Sequence, residues 1–429
     1  MLPTLRDARK PFLAPAILLV AVVAVLAAGQ RRDAFVVSRD HAAIRYSAAG
    51  VSDPVSRLDR EIRDGRRTLA FDPQSGYLTS VLAALDVPVE SQALVFSPTS
   101  FQASRIHMHN PRAVYFNDTV AVGWVRGGEI LEVAALDPTQ GVIFYALEQS
   151  RETMPRFTRN DSCLACHLSW DTLGVPGLML TSMFPLPDDP NAYANGLTTV
   201  QGSPLDERWG GWWVTGDHGG ARHMGNVPVL PADAGRKLAA APTRVLPSLE
   251  GLFDLTGYPT PYSDVVAQLV LAHQTRVTNL LIRVGWESRL AAAEPSPDAE
   301  SRVRDAVHDL VDHVLFVDEA PLPGPVRGTS GFADAFAARG PRDRRGRSLR
   351  DLDLRRRLFR YPCSYMIYSD AFDALPAPAT DAIYARLLHV LTGRDSAPRY
   401  RSLTAADRRA VAQILQDTKE GLPDAFRAL

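Results

Sequence analysis

The chain has 429 residues, 46% apolar and 22% charged, the composition of an ordinary globular protein with material for one large core or two to three domains. A formal net charge of −1 gives no argument for a nucleic-acid surface, and three cysteines are too few for a disulfide framework. At the N-terminus, Arg6, Arg9 and Lys10 precede an uncharged apolar run from Pro11 to Gly29, and Arg31, Arg32 and Asp33 follow it. A basic start, an apolar centre and a small-residue tail form an export signal, with Val25-Leu26-Ala27 an acceptable cleavage site. The run is also near the roughly 20 residues that cross a bilayer. A cleaved signal peptide and a retained membrane anchor over 1–33 both fit. Either delivers the remainder outside the cytoplasm, and the anchor adds a membrane contact.

From 34 to 150 the period changes from helical to strand-like. Ser52-Asp53-Pro54 opens a helix with Val55, Leu58 and Ile62 on one stripe, and Tyr77 to Leu85 forms another. Five runs rich in Val, Ile, Phe and Tyr then follow: 93–97, 113–116, 119–125, 130–136 and 142–147. They are divided by Asn117-Asp118, Gly127-Gly128 and Asp137-Pro138 with Gly141, which predicts a small antiparallel meander. The stretch 151–230 is irregular and rich in Gly, Pro, Trp and Asp, with Trp212 to Thr215 a candidate strand. From 231 to 429 the pattern is helical. Ser263 caps a long helix striped by Val266, Leu269, Val270, His273, Val277, Leu280 and Leu281. A second stripe runs from Val303 to Val314, a third helix covers Ile383 to Leu391, and Thr404 with Asp407 opens a fourth. The expected class is α+β: a small β segment, an irregular segment and a mostly helical C-terminal region.

The chemistry concentrates in Cys163-Leu164-Ala165-Cys166-His167. At this chain's usage, 3 Cys and 10 His in 429, chance predicts about 0.0005 such pentapeptides. Asn160, Asp161 and Ser162 cap a helix start, so both thiols and the imidazole lie on its first turns and face one flat ligand.

This pentapeptide resembles the haem-attachment motif of c-type cytochromes. The resemblance implies one covalent haem c, held by thioether bonds from Cys163 and Cys166, with His167 as axial iron ligand. It also implies location in the periplasm or on the outer face of the cytoplasmic membrane. Tyr115 to Asp118, Val122 to Val125, Arg208 to Gly219, Arg222 to Asn226 and Arg360 to Tyr368 are similar to a group of uncharacterised bacterial proteins containing a cytochrome c domain. The His167 ring needs an acceptor for its Nδ1–H, and the Pro176 carbonyl is the expected one. In that family a downstream Met supplies the sixth ligand. Met224, in a polar Gly-rich setting, is the first candidate; His223 and an open position are the alternatives. Met179 and Met183 lie in an apolar run and read as core filling. Arg208 or Arg222 could meet a haem propionate, and Trp209, Trp212 and Trp213 could pack on the porphyrin or simply form core.

Rival readings are a zinc site from Cys163, Cys166, His218 and His223, and copper at His107-Met108-His109. A CxxC thiol couple is a third, without the expected βαβ setting. His273 reads as a core histidine, His308 and His313 as solvated, and Cys363 as a small buried residue. Between Arg339 and Arg360 stand ten Arg against three Asp, either a solvated loop or a dock for an acidic partner. No catalytic residues emerge. The expectation is one-electron transfer between unidentified redox donor and acceptor proteins. The alternatives are a peroxidase-like enzyme or sensor with an open axial site, and a zinc-binding structural protein.

Overall fold

A computed structural model of the chain describes residues 35, 38–183, 196–227 and 243–428. The apolar run over 11–29 and its cleavage site lie outside these residues. Among the described residues no helix is long and apolar enough to cross a membrane. The chain divides into two units, Met1–Ala49 and Gly50–Leu429. Within the first, the His41 carbonyl accepts from the Ile44 and Arg45 N–H groups, each at 2.9 Å.

The second unit is built on an antiparallel meander. Its strands are β1 (Ala93–Val95), β2 (Arg112–Phe116), β3 (Val120–Trp124), β4 (Ile130–Asp137), β5 (Gly141–Glu148) and β6 (Phe157–Arg159), paired in chain order. The turns are set by side chains. Asn117 Oδ1 accepts from the Thr119 and Val120 N–H groups, and Asp137 Oδ1 from those of Thr139 and Gln140. One sheet face is closed core: Tyr115, Val122, Val133 and Tyr145 stand opposite one another across four strands, all buried. Tyr145 donates to Asp53 at 2.7 Å, the residue whose other oxygen caps α1 (Pro54–Arg63). The helix α2 (Leu78–Ala84) follows.

The other face is different. Val114, Gly123, Glu132 and Ala146 form one cross-strand row, and Phe116, Ala121, Ala134 and Phe144 form the next. Ala121, Ala134 and Ala146 are only half-buried although their strands are interior to the sheet. Small side chains here leave a shelf. The short helix α3 (Leu164–His167) stands beside it, its His167 ring 4.7 Å from that of Phe144.

The long helix α4 (Val265–Ala293) crosses the turn end of the sheet. Gln274 donates to the Asn117 carbonyl at 2.7 Å and Trp286 to the Gln140 carbonyl at 3.1 Å. The expected apolar stripe is buried, and so is every residue from Val265 to Thr275. A helix buried all round carries more than one contact face. Its cap is Asp264, one residue after the expected Ser263. Asp264 Oδ1 accepts from Val266 and Ala267, while Oδ2 accepts from the N–H groups of Thr329 and Ser330. Ser263 instead donates to the Trp213 carbonyl and accepts from Leu94.

The helices α5 (Pro297–Val314), α6 (Phe332–Ala338), α7 (Asp370–Asp373), α8 (Ala377–Leu391) and α9 (Ala405–Thr418) follow, α5 packing along α4. Thr404 and Asp407 form the expected reciprocal cap on α9. Trp212 to Thr215 is not a strand; it makes isolated bridges at Trp212 and Thr215. Helix and antiparallel sheet together make the unit α+β.

Replacing Asp264 should separate the two caps. Asp264→Ala loses bonds to both segments and is expected to cost about 3 kcal/mol or more in urea denaturation, Ser263→Ala less. Equal losses would remove Asp264 from this role.

Candidate functional site

Asn160 starts the site. Its side chain accepts from Ser162 N–H at 3.1 Å, and its own N–H donates to the Phe144 carbonyl at 2.9 Å, hanging the motif from β5. Cys163 is half-buried and Cys166 exposed, and both are free thiols. Burial first, and then the charge of Glu132, push the Cys163 thiol up to about 11. A thiol held protonated at neutral pH is a poor nucleophile for disulfide exchange.

His167 is fixed by two reciprocal bonds. Its Nδ1 lies 2.8 Å from the Gly177 carbonyl, and its own carbonyl accepts the Gly177 N–H at 3.0 Å. A carbonyl only accepts, so Nδ1 carries the proton and Nε2 keeps its lone pair. The acceptor is therefore Gly177, one residue past the expected Pro176. The Pro176 carbonyl is occupied by the Val142 N–H at 3.1 Å, at the start of β5. Asn279 of α4 clamps the next residue, accepting from Leu178 N–H at 2.9 Å and donating to its carbonyl at 2.7 Å. A Cβ at Gly177 would lie 2.8 Å from Asn279 Cγ, so this position has no room for a side chain. Burial lowers the His167 pKa, keeping the ring neutral.

Two charges stand at the same place. Arg112 Nη2 pairs with Glu132 Oε2 at 2.9 Å, and Glu132 Oε1 accepts from Ser100 Oγ at 2.6 Å. Behind burial, both charges act on Cys163 and on His167.

The other expected ligands fall elsewhere. Met224 is half-buried; its N–H donates to the Arg208 carbonyl, and its sulfur lies 3.8 Å from Ser182 Oγ. Ser182 is five residues from Gly177, at most about 17 Å of extended chain. His223 is buried against Trp209 and His218, with ring centroids 5.1 and 4.8 Å away. Its Nδ1 accepts from Gly225 N–H at 3.0 Å, so the proton sits on Nε2, the opposite tautomer to His167. That arrangement leaves no lone pair on Nε2 for iron. His218 has both ring nitrogens buried without a hydrogen bond, in a two-residue strand paired to Val326 and Arg327.

Among the described residues, no three His, Cys, Asp or Glu side chains are gathered as a metal site, including the Cys163, Cys166, His218 and His223 set and the His107 to His109 loop. His273 is satisfied core, with Nδ1 2.6 Å from Gln201 and Nε2 2.7 Å from Ser364. His313, expected on the solvated side, stacks on His273 at 5.4 Å. Cys363 is buried and pushed up to about 12. Arg208 spends its donors on the Gln201 and Ser203 carbonyls, and Arg222 is exposed. Trp212 and Trp213 are core, donating to the Thr181 and Met108 carbonyls. The basic stretch is largely paired within the fold, Arg342 with Asp351, Arg347 with Asp343, Arg350 with Asp118 and Arg357 with Asp407.

Gly177, Asn279, Phe144, Arg112 and Glu132 are the site residues that pattern reading missed. Asn279 had a signal, a polar residue at helical spacing in an apolar helix. No family model, no curated protein and no solved structure matches this chain.

Nitrogen-15 spectra of imidazole-labelled, haem-free protein should show His167 protonated on Nδ1 and His223 on Nε2; the reverse pattern at His167 removes the Gly177 bond. Acid should destabilise the fold. Burial lowers His167, His218 and His273, and pushes His223 and His313 to about 3. The unfolded chain takes up these protons near pH 6.5 and the folded chain refuses them, so stability falls as pH drops below 6.5. Glu319, pushed up to about 7, opposes with one group. The expected slope is at least about 1.4 kcal/mol per pH unit between 6.5 and 5, and a flat urea midpoint there contradicts it.

Proposed function

We propose that this chain is an exported monohaem c-type protein that transfers single electrons. The observation that carries the reading is the Gly177 carbonyl on His167 Nδ1, which leaves Nε2 unprotonated in the same short turn as two free thiols. This is the tautomer an iron-binding imidazole needs, with the outer hydrogen bond that such ligands use. When bound, haem supplies a one-electron ferric/ferrous couple. Cys163 and Cys166 would hold it covalently and His167 would give the iron a nitrogen, while Asn279 fixes the segment that orients His167.

Exposed apolar surface supports a missing apolar ligand. Trp170 is 69% exposed three residues after His167, and Phe101 is 64% exposed next to the Ser100 that binds Glu132. The half-buried alanine shelf beside Phe144 is a flat surface of the right chemistry for a porphyrin edge.

Met224 supplies the sixth ligand in this reading. A second reading, an open axial position serving a peroxidase-like enzyme or sensor, is favoured by the contact of its sulfur with Ser182. The basic and apolar pattern of residues 6–29 supports export in this reading, to the periplasm or the outer face of the cytoplasmic membrane, where redox donor and acceptor proteins would meet the chain.

Produced in a host competent for cytochrome maturation, the chain should give a reduced spectrum with a sharp α band and retain haem after denaturation. Replacing both Cys163 and Cys166 by Ala should abolish that retention; persistent haem-linked peroxidase staining would refute attachment there. Met224→Ala should turn a low-spin ferric spectrum high-spin. A spectrum that is high-spin before the substitution and unchanged after it selects the open-site reading.

A further inference from the structure

The β4–β5 turn, α4 and the end of α7 do not close completely. Between Gly141, Ile282, Gly285, Ala374 and Leu375 they leave a cleft of about 80 Å³ that opens to solvent. Gly285 keeps it open. Glycine inside a helix is less stable than alanine, yet no neighbour demands one here. An added Cβ would meet only Leu375 Cδ2, at 3.4 Å, which is ordinary contact. A longer side chain would run into the cleft.

One cation stands in this apolar wall. Arg289, one turn after Gly285, lines the cleft and is half-buried. Its Nη2 donates to the Thr139 carbonyl at 2.6 Å, and its Nε reaches the Gly285 carbonyl only at 3.4 Å. These bonds use two of the five N–H donors of a guanidinium. Among the described residues Nη1 has no hydrogen bond and Arg289 no ion pair, and Nη1 is not sealed from solvent. Asp137, whose charge acts on Arg289, has both oxygens committed elsewhere. Its Oδ1 accepts from the Thr139 and Gln140 N–H groups and its Oδ2 from that of Ser52. A half-buried cation with spare donors beside an apolar cleft is matched by an anion that carries an apolar tail.

We propose that this cleft binds a short-chain alkyl carboxylate, with its carboxylate on Arg289 Nη1 and its chain against Ile282, Gly285 and Leu375. The size follows from the volume: a cavity of about 150 Å³ takes benzene, so this one suits a chain of roughly three to five carbons. Nothing in this binding depends on haem.

The test uses the full chain with carbon-13 labelled Ile and Leu methyl groups, titrated with sodium butyrate at constant ionic strength. Butyrate should shift the Ile282 and Leu375 signals saturably, and 1-butanol should bind about tenfold more weakly or worse. Arg289→Gln should weaken butyrate by a similar factor, and Gly285→Leu, which fills the cleft, should abolish the response. No saturable shift at tens of millimolar butyrate overturns the proposal. So does butanol binding as well as butyrate, or undiminished butyrate binding in either variant. The butyrate and butanol comparison in the unaltered chain decides the matter where neither variant accumulates.

Discussion

The whole second unit depends on the few polar side chains that one buried, mostly apolar helix carries. Among the described residues between Arg151 and Val227 the strands are only two or three residues long, and every buried backbone group there needs a partner. The helix α4 supplies several. Gln268 donates to the Trp213 carbonyl, His273 meets the Gln201 side chain, and Asn279 satisfies both backbone groups of Leu178. At its head, Ser263 and Asp264 gather the backbone around Trp213, Leu94 and Thr329. In a low-dielectric interior such bonds are strong when complete and expensive when broken, so this helix holds irregular chain to a single geometry.

The consequence at the motif is chemical. Two histidines, His167 half-buried and His223 buried, receive opposite tautomers from the backbone, a carbonyl on His167 and an amide N–H on His223. Backbone polarity, more than proximity, separates a ring able to bind iron through Nε2 from one that is not.

Much of this was legible in the chain. Val, Ile and Phe alternation with Asn117 and Asp137 at the turns marked the meander, and Thr404 with Asp407 marked a helix start, because these signals are local. The pentapeptide marked the candidate site for the same reason. What escaped depended on distant partners. Trp212 to Thr215 has strand-like composition yet is held by Ser263, Gln268 and Asn226 in place of a strand neighbour. The slips from Pro176 to Gly177 and from Ser263 to Asp264 are single residues, decided by β5 and by the Thr329 loop. His313 was assigned to solvent because period alone does not reveal His273 across the interface. Arg112 and Glu132 carried only the ordinary polar half of a strand pattern.

The Asn279 clamp closes over a chain separation of 101 residues from Leu178. During synthesis at about 5–20 residues per second, the thiol pair emerges about 5–20 s before the side chain that grips its neighbourhood. The local Gly177 bonds to His167 span only ten residues, whereas the grip on Leu178 waits for a helix made much later. The final geometry of this segment is therefore set late, by α4, while Cys166 stays exposed in the finished fold.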